Sequence, residues 1–392
     1  MTVQARTVLV VAALQFVYIL DFVMVLPLGP DLARALGFAV DRAALLTAAY
    51  TLASVLASLA CLHVLDRFNR KTVLLVSFGL LALATWASSM ATGLDSLLLA
   101  RAVTGMAGAP AIATGMALVI DVTPPAQRGR TLARVMAGFA LAAVAGVPMA
   151  LELARFGGWQ LPFQSLAALA LLVWLVAAIV LPAPAGRAAQ GAGLGQLLRR
   201  GPVRHACVVQ GLSQFSAFLL IPHFSAYYLF NLGYPRAHLG VLYMAGGVTA
   251  FVTVQVLGRL ADRAGPRQAV LMASAAMALG VIPLLVDARL LLPVLVLCFV
   301  CFMAGNAGRN VSLLAALSHV PRGDERAAFM ALQGMVQDVA IAAAALVSGA
   351  MLAQGTDGTL SGMGMVLACA AVTGAAVPLA LSGQKQYVRA TH

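Results

Sequence analysis

Twelve apolar runs, each reaching the roughly 17 to 25 residues that a bilayer crossing needs and separated by short polar turns, limit this chain more than any other feature. They lie near residues 7–28, 43–65, 72–93, 96–119, 131–151, 161–181, 205–231, 238–259, 268–286, 290–319, 327–353 and 360–382. Runs of that length match the hydrocarbon thickness of a bilayer, where every peptide N–H and C=O must find a partner within its own segment, so helices are expected. The fold class predicted is an all-α membrane protein with twelve transmembrane helices. Composition agrees: 62% of residues are hydrophobic and only 10% charged, whereas soluble domains carry roughly a quarter charged residues.

The runs divide into two sets of six. Leu62 to Lys71 (LHVLDRFNRK) and Gly258 to Arg267 (GRLADRAGPR) align on Asp66 and Asp262, 196 residues apart, which is half of the 392-residue chain. The same offset carries Arg130 of TPPAQRGR onto Arg326 of PRGDER. A repeat of this size in a membrane chain implies two pseudo-symmetric six-helix bundles with a path for substrate between them. The predicted domains are residues 1–181, a cytoplasmic linker at 182–204 rich in Pro, Gly, Ala and Arg, and residues 205–392. The LGQLLRR core of that linker is expected to form a small amphipathic helix.

The net charge of +12 raises nucleic acid as a partner, but the basic residues fall in short clusters between apolar runs, without zinc-ligand spacing or interleaved aromatics. Nucleic acid binding is excluded on that ground. With the amino terminus inside, 18 of the 25 Lys and Arg fall on the inner side and 5 on the outer, which predicts cytoplasmic termini. The five cysteines lie in or beside apolar runs; Cys298 and Cys301 form a CxxC without His or acidic neighbours, so neither a metal site nor a disulfide is expected. No cleaved signal peptide is expected, since the first apolar run is as long as a span. A nucleophile elbow, a metal-ligand cluster and a phosphate loop are all missing from the sequence, which argues against an enzyme.

Charge at membrane depth is costly, at least about 2.5–3.5 kcal/mol on insertion scales, and therefore marks functional candidates. Arg309 lies 12 residues before Pro321 and Asp338 lies 12 after Arg326, so both stand roughly 18 Å from one cytoplasmic turn. Asn306, Arg309 and Ser312 share a helix face, with Gln333, Gln337 and Asp338 on a partner helix. Asp21 and Arg101 are matched in depth in the first half, with Tyr18 one turn below Asp21. Static pairs that merely fix helix packing are the competing interpretation for both sets. His223 is a candidate proton carrier or a hydrogen-bonded packing residue. Gly105, Gly108 and Gly334 are expected to let helices approach closely.

The cytoplasmic motif formed by Gly258, Leu260, Ala261, Asp262, Arg263, Gly265 and Arg267, echoed by Asp66, Arg67, Arg70 and Lys71, resembles the signature of the major facilitator superfamily. In the first copy Leu62 and Asn69 stand where the family has glycine. Arg101 and Gly105 resemble the family's fourth-span pattern, and Gly146-Val147-Pro148 followed by Gly158-Trp159 resembles the fifth-span pattern of its twelve-span drug:proton antiporters. Met149, Ala150 and Gln160 depart from that pattern. The resemblance implies the major facilitator fold and alternating access, with proton-coupled efflux of a small apolar or cationic compound. It further implies a cytoplasmic gate at Asp66, Arg67, Arg70, Gly258, Asp262, Arg263 and Arg267, and a cavity that Asp21, Arg101, Arg309 and Asp338 enter. The implied partners are a small-molecule substrate, protons and the lipid bilayer, for a monomer without cofactors in a bacterial-type inner membrane. Two alternatives stand beside it: a transporter of an anionic metabolite or siderophore-like molecule with Arg101 and Arg309 as anion ligands, and a non-transporting receptor.

Overall fold

Twelve helices long and apolar enough to cross a bilayer run through the computed structural model, which describes residues 2–64, 68–124, 127–181, 194–286, 290–322 and 325–389. They are α1 (Val3–Leu36), α2 (Val40–Cys61), α3 (Arg70–Ser88), α4 (Leu94–Asp121), α5 (Arg134–Gly157) and α6 (Gln160–Val180). The second set comprises α7 (Gly201–Asn231), α8 (Arg236–Ala264), α9 (Pro266–Val286), α10 (Leu292–Leu317), α11 (Ala328–Met351) and α12 (Met363–Gly383). The predicted fold class is the one observed.

Local chemistry sets the helix ends. Thr2 Oγ1 accepts from the Ala5 amide at 3.3 Å and Asn69 Oδ1 from the Lys71 amide at 2.9 Å, each satisfying a donor that the first turn leaves without an intrahelical partner. Helix α1 runs eight residues past the sequence-based end at 28, through Pro27 and Pro30, and stops at Gly37. Both prolines are buried against neighbouring helices, and Gly37 takes φ +70°, a left-handed conformation that favours glycine. Gly265 of the GRLADRAG motif ends α8 with a different backbone, φ +92° and ψ 149°, that also favours glycine.

Two helices are irregular. In α5, Ala142–Gly146 forms a π segment just before Pro148, whose missing N–H interrupts the regular ladder. In α7 the α-helix Gly201–Phe218 gives way to a 3₁₀ turn at Ile221–His223 around Pro222, then to a π segment at Tyr227–Asn231. Beyond α11 a short antiparallel pair, Ala353–Gln354 with Leu360–Ser361, is pinned by Asn231, whose side chain donates to Leu360 O at 3.0 Å and accepts from its amide at 2.9 Å.

The chain forms two compact units, Met1–Ala188 and Ala189–His392. Within the first, α4 packs on α2 and α3, α1 on α5 and α6, and α3 on α6. Within the second, α10 packs on α8 and α9, α7 on α11 and α12, and α9 on α12. This is the same scheme displaced by six helices, the tertiary counterpart of the 196-residue repeat. The short helix expected in the 182–204 linker is Leu194–Arg199, and its Leu197 is buried with Val203, Ala206, Leu317 and Phe329. Apolar burial draws this segment into the second unit, and α7 begins within the expected linker.

Glycine sets the tightest crossings. A Cβ at Gly105 would lie 2.1 Å from Tyr50 O, and one at Gly305 would lie 2.4 Å from Met277 N, so α4 meets α2, and α10 meets α9, backbone to backbone. Gly108 fits against the Tyr18 ring, where a Cβ would stand 2.5 Å from Cε2. Gly334, expected to act similarly, is exposed with nothing within 4 Å. Leu83, Ile179 and Leu379 point outward and are largely exposed, as lipid-facing side chains are.

Candidate functional site

Asp21 and Arg101 meet in the first unit. Arg101 Nη1 donates to Asp21 Oδ2 at 2.8 Å and Nη2 to the Asp21 carbonyl at 3.0 Å. Thr85 Oγ1, from α3, donates to the other carboxylate oxygen at 2.8 Å. Both charged side chains are closed off, with relative exposures of 0% for Asp21 and 1% for Arg101. Tyr50 of α2 lies beneath the guanidinium, 4.8 Å from Cζ to the ring centroid, close enough for a cation–π contact. Tyr18 and Phe22 pack beside Tyr50 at centroid distances of 6.3 and 5.1 Å. Helices α1 to α4 thus each contribute to one buried charge pair, whose Arg101 Nε alone among the bonded groups has no acceptor.

The second unit is arranged differently. Arg309 is fully buried on α10, and its Nη2 donates to Ser213 O and to Ser216 Oγ of α7, both at 2.8 Å. The sequence puts Asp338 level with Arg309, but α11 packs on α7, and Asp338 is not among the hydrogen-bond partners of Arg309. Asp338 is half-buried, and Gln337 beside it accepts from Gln210 of α7 at 3.4 Å. The expected stripe on α10 exists in part: Ser312 is buried and donates to Gly308 O, while Asn306 is half-buried with its Oδ1 unbonded. His223 is buried with Nε2 2.9 Å from Ser348 Oγ and no partner at Nδ1.

The two copies of the basic motif differ in what can be said of them. Asp66 and Arg67 lie outside the described residues. Arg70 at the start of α3 forms an ion pair with Asp121 at the end of α4, and Lys71 Nζ donates to Leu181 O at 2.6 Å. In the second copy Asp262, Arg263 and Arg267 are exposed, and Gly258 has open space around it. Of the fifth-span motif, Gly146 faces Leu20 of α1, where a Cβ would stand 2.8 Å from Cδ1, and Pro148 follows the π segment.

Sequence reasoning missed the partners of the buried arginines, Thr85 and Tyr50 in the first unit and Ser213 and Ser216 in the second, and Asp121 as the partner of Arg70. Thr85 was the most detectable, a lone hydroxyl in the apolar run LLALATWA. Nothing in the sequence marks Tyr50 as the floor of the Arg101 site.

Comparison with known proteins follows the geometry. The chain matches the Major Facilitator Superfamily over residues 11–345, with a second match at 206–384. It is 28% identical to a chloramphenicol resistance protein of Streptomyces lividans over 61% of this chain and 62% of that protein. It is 25% identical to a probable sugar efflux transporter of Mannheimia succiniciproducens over 65% of each, so the chain spans somewhat under two thirds of these relatives. Among solved structures, the nucleoside transporter NupG superposes with a TM-score of 0.77 at 13% identity, covering 98% of this chain and 100% of that one. An occupied bacterial homolog of the human lysosomal transporter Spinster gives 0.75 at 14%, covering 99% and 97%. With its twelve spans packed as two repeats, the chain belongs to the major facilitator superfamily.

Proposed function

We propose that this protein is a secondary transporter that couples proton movement to export of a small apolar or cationic compound, in the manner of the drug:proton antiporters. The buried Asp21–Arg101 pair carries the proposal. A carboxylate in a low-dielectric site is pulled toward its protonated form by desolvation and toward its charged form by a nearby guanidinium. A proton on Asp21 Oδ2 cancels the attraction that holds α1 to α4 there, and separation of the two helices favours taking up that proton. Proton occupancy and helix arrangement are thereby linked, which is what coupled alternating access requires. Both relatives bear names that concern export or drug resistance.

The cytoplasmic gate is assigned to Asp66, Arg67, Arg70, Gly258, Asp262, Arg263 and Arg267, in a monomer of the inner membrane with cytoplasmic termini. Arg101 is poorly placed as a ligand for an anionic cargo, because Asp21 already occupies its guanidinium. The test uses purified protein in proteoliposomes with an imposed pH gradient and a panel of candidate drugs. Wild type accumulates a cargo in response to the gradient, and Asp21→Asn reaches the membrane but loses that response. Full coupling in Asp21→Asn removes Asp21 as the carrier.

A further inference from the structure

The two units repeat one packing scheme, in which α10 corresponds to α4 and α7 to α1. Each of the two corresponding helices carries a fully buried arginine, Arg101 or Arg309, that reaches across to its counterpart of α1 or α7. The 196-residue offset moves Asp21 to position 217, next to Ser216, the residue that Arg309 bonds, but it moves Arg101 to position 297, 12 residues before Arg309, so the two sites share helices and not positions. One arginine therefore meets a carboxylate and the other a neutral hydroxyl.

The difference leaves donors without acceptors. Arg309 Nε and Nη1 are buried with no hydrogen-bond partner, as is the Ser213 hydroxyl one turn away from Ser216. Arg309 is not a member of the Arg70–Asp121, Arg101–Asp21, Arg155–Glu152 or Arg200–Glu325 ion pairs. Gly374 of α12 packs against this edge of the guanidinium, where a Cβ would stand 3.5 Å from Nη1. A guanidinium held out of water with most of its N–H groups unused is strongly unfavourable unless a negative charge joins it. Neutral water satisfies donors but cannot offset the charge.

We infer that the Arg309, Ser213, Ser216 and Gly374 socket of the second unit binds a compact monovalent anion, which gives Arg309 the counter-charge that Asp21 gives Arg101 in the first unit. The socket is closed to solvent, so the occupant is small: a halide or a single carboxylate group. It engages Arg309 Nε and Nη1 by charge-assisted hydrogen bonds. The inference is independent of proton carriage by Asp21, which lies in the other unit.

Full-length protein in lipid nanodiscs, unfolded thermally while sodium chloride or sodium formate replaces sodium gluconate at constant ionic strength, provides the test. Wild-type Tm is expected to rise saturably, as binding to the folded state requires. A response to both salts identifies a dissolved halide as a sufficient occupant, and a response to formate alone identifies a carboxylate, such as one on a transported molecule. Ser216→Asp supplies the carboxylate internally, so its Tm in gluconate should match or exceed that of wild type in chloride and no longer depend on the anion. Arg309→Met should be insensitive to anions as well, and Ser216→Asp carries the test alone if that variant does not fold. A wild-type Tm equal in all three salts overturns the inference, and so does a Ser216→Asp protein that keeps the full wild-type response. Loss of the anion effect with coupling by Asp21 intact, or the reverse, tells the two proposals apart.

Discussion

Arg101 holds Asp21 by two different atoms, its carboxylate Oδ2 at 2.8 Å and its main-chain oxygen at 3.0 Å. The guanidinium is thus fixed to the α1 backbone as well as to the side chain that carries charge. Loss of charge on Asp21 weakens one bond and leaves the other as a pivot.

Truncation of one partner should be costly. Asp21→Ala leaves Arg101 buried without its counter-charge, and breaking such pairs costs about 3–5 kcal/mol. Replacement of both, Asp21→Leu with Arg101→Met, should recover most of that loss because no buried charge remains. Thermal or denaturant unfolding of the three variants in nanodiscs checks the order, and the double variant should fold yet fail to couple transport to the pH gradient.

Thr85→Val removes the hydroxyl that donates to Asp21 Oδ1. Hydrogen bonds to charged groups contribute about 1.5–3 kcal/mol, so a stability loss in that range is expected. Thr85→Ser keeps the donor and should stay close to wild type in the same unfolding measurement.

The glycines separate cleanly by environment. Gly105→Ala and Gly305→Ala each force a methyl into a neighbouring helix backbone, and should destabilise by at least about 1–3 kcal/mol. Gly334→Ala adds a methyl to open space on a regular helix and should be neutral, or stabilising by up to about 1 kcal/mol. Equal Tm values for all three variants would contradict the backbone-to-backbone crossings.

The ion pairs Arg70–Asp121 and Arg200–Glu325, both at helix ends, should differ in worth. The Arg70–Asp121 pair has an Asp side chain 43% exposed, whereas Glu325 is 12% exposed and accepts from the Arg322 amide at 3.0 Å as well as from Arg200. Asp121→Ala should cost about 0–1 kcal/mol, as exposed pairs do. Glu325→Gln should cost more, about 1–3 kcal/mol, because Arg200 then loses its charged partner and a backbone donor loses its anionic acceptor. Salt should narrow the first difference more than the second.

Depth was legible in the sequence; neighbours were not. Helical rise is fixed, so residue counts from a basic turn place Asp21, Arg101, Arg309 and Asp338 along the membrane normal without reference to any other helix. The twelve spans and the repeat follow as directly, since hydrocarbon tolerates only internally bonded apolar segments. Which helix stands beside which, and which way each face turns, depends on how side chains and small residues interlock. That packing joined Arg101 to Asp21 and Thr85 over the ring of Tyr50. It turned Arg309 to Ser213 and Ser216 of α7 instead of to Asp338 at equal height, and it drew Leu197 of the expected linker into the second core. The sequence determined that buried charges exist and at what level; only the tertiary structure decided which of them are neutralised, because charge compensation depends on lateral contacts of a few ångströms that one-dimensional spacing does not encode.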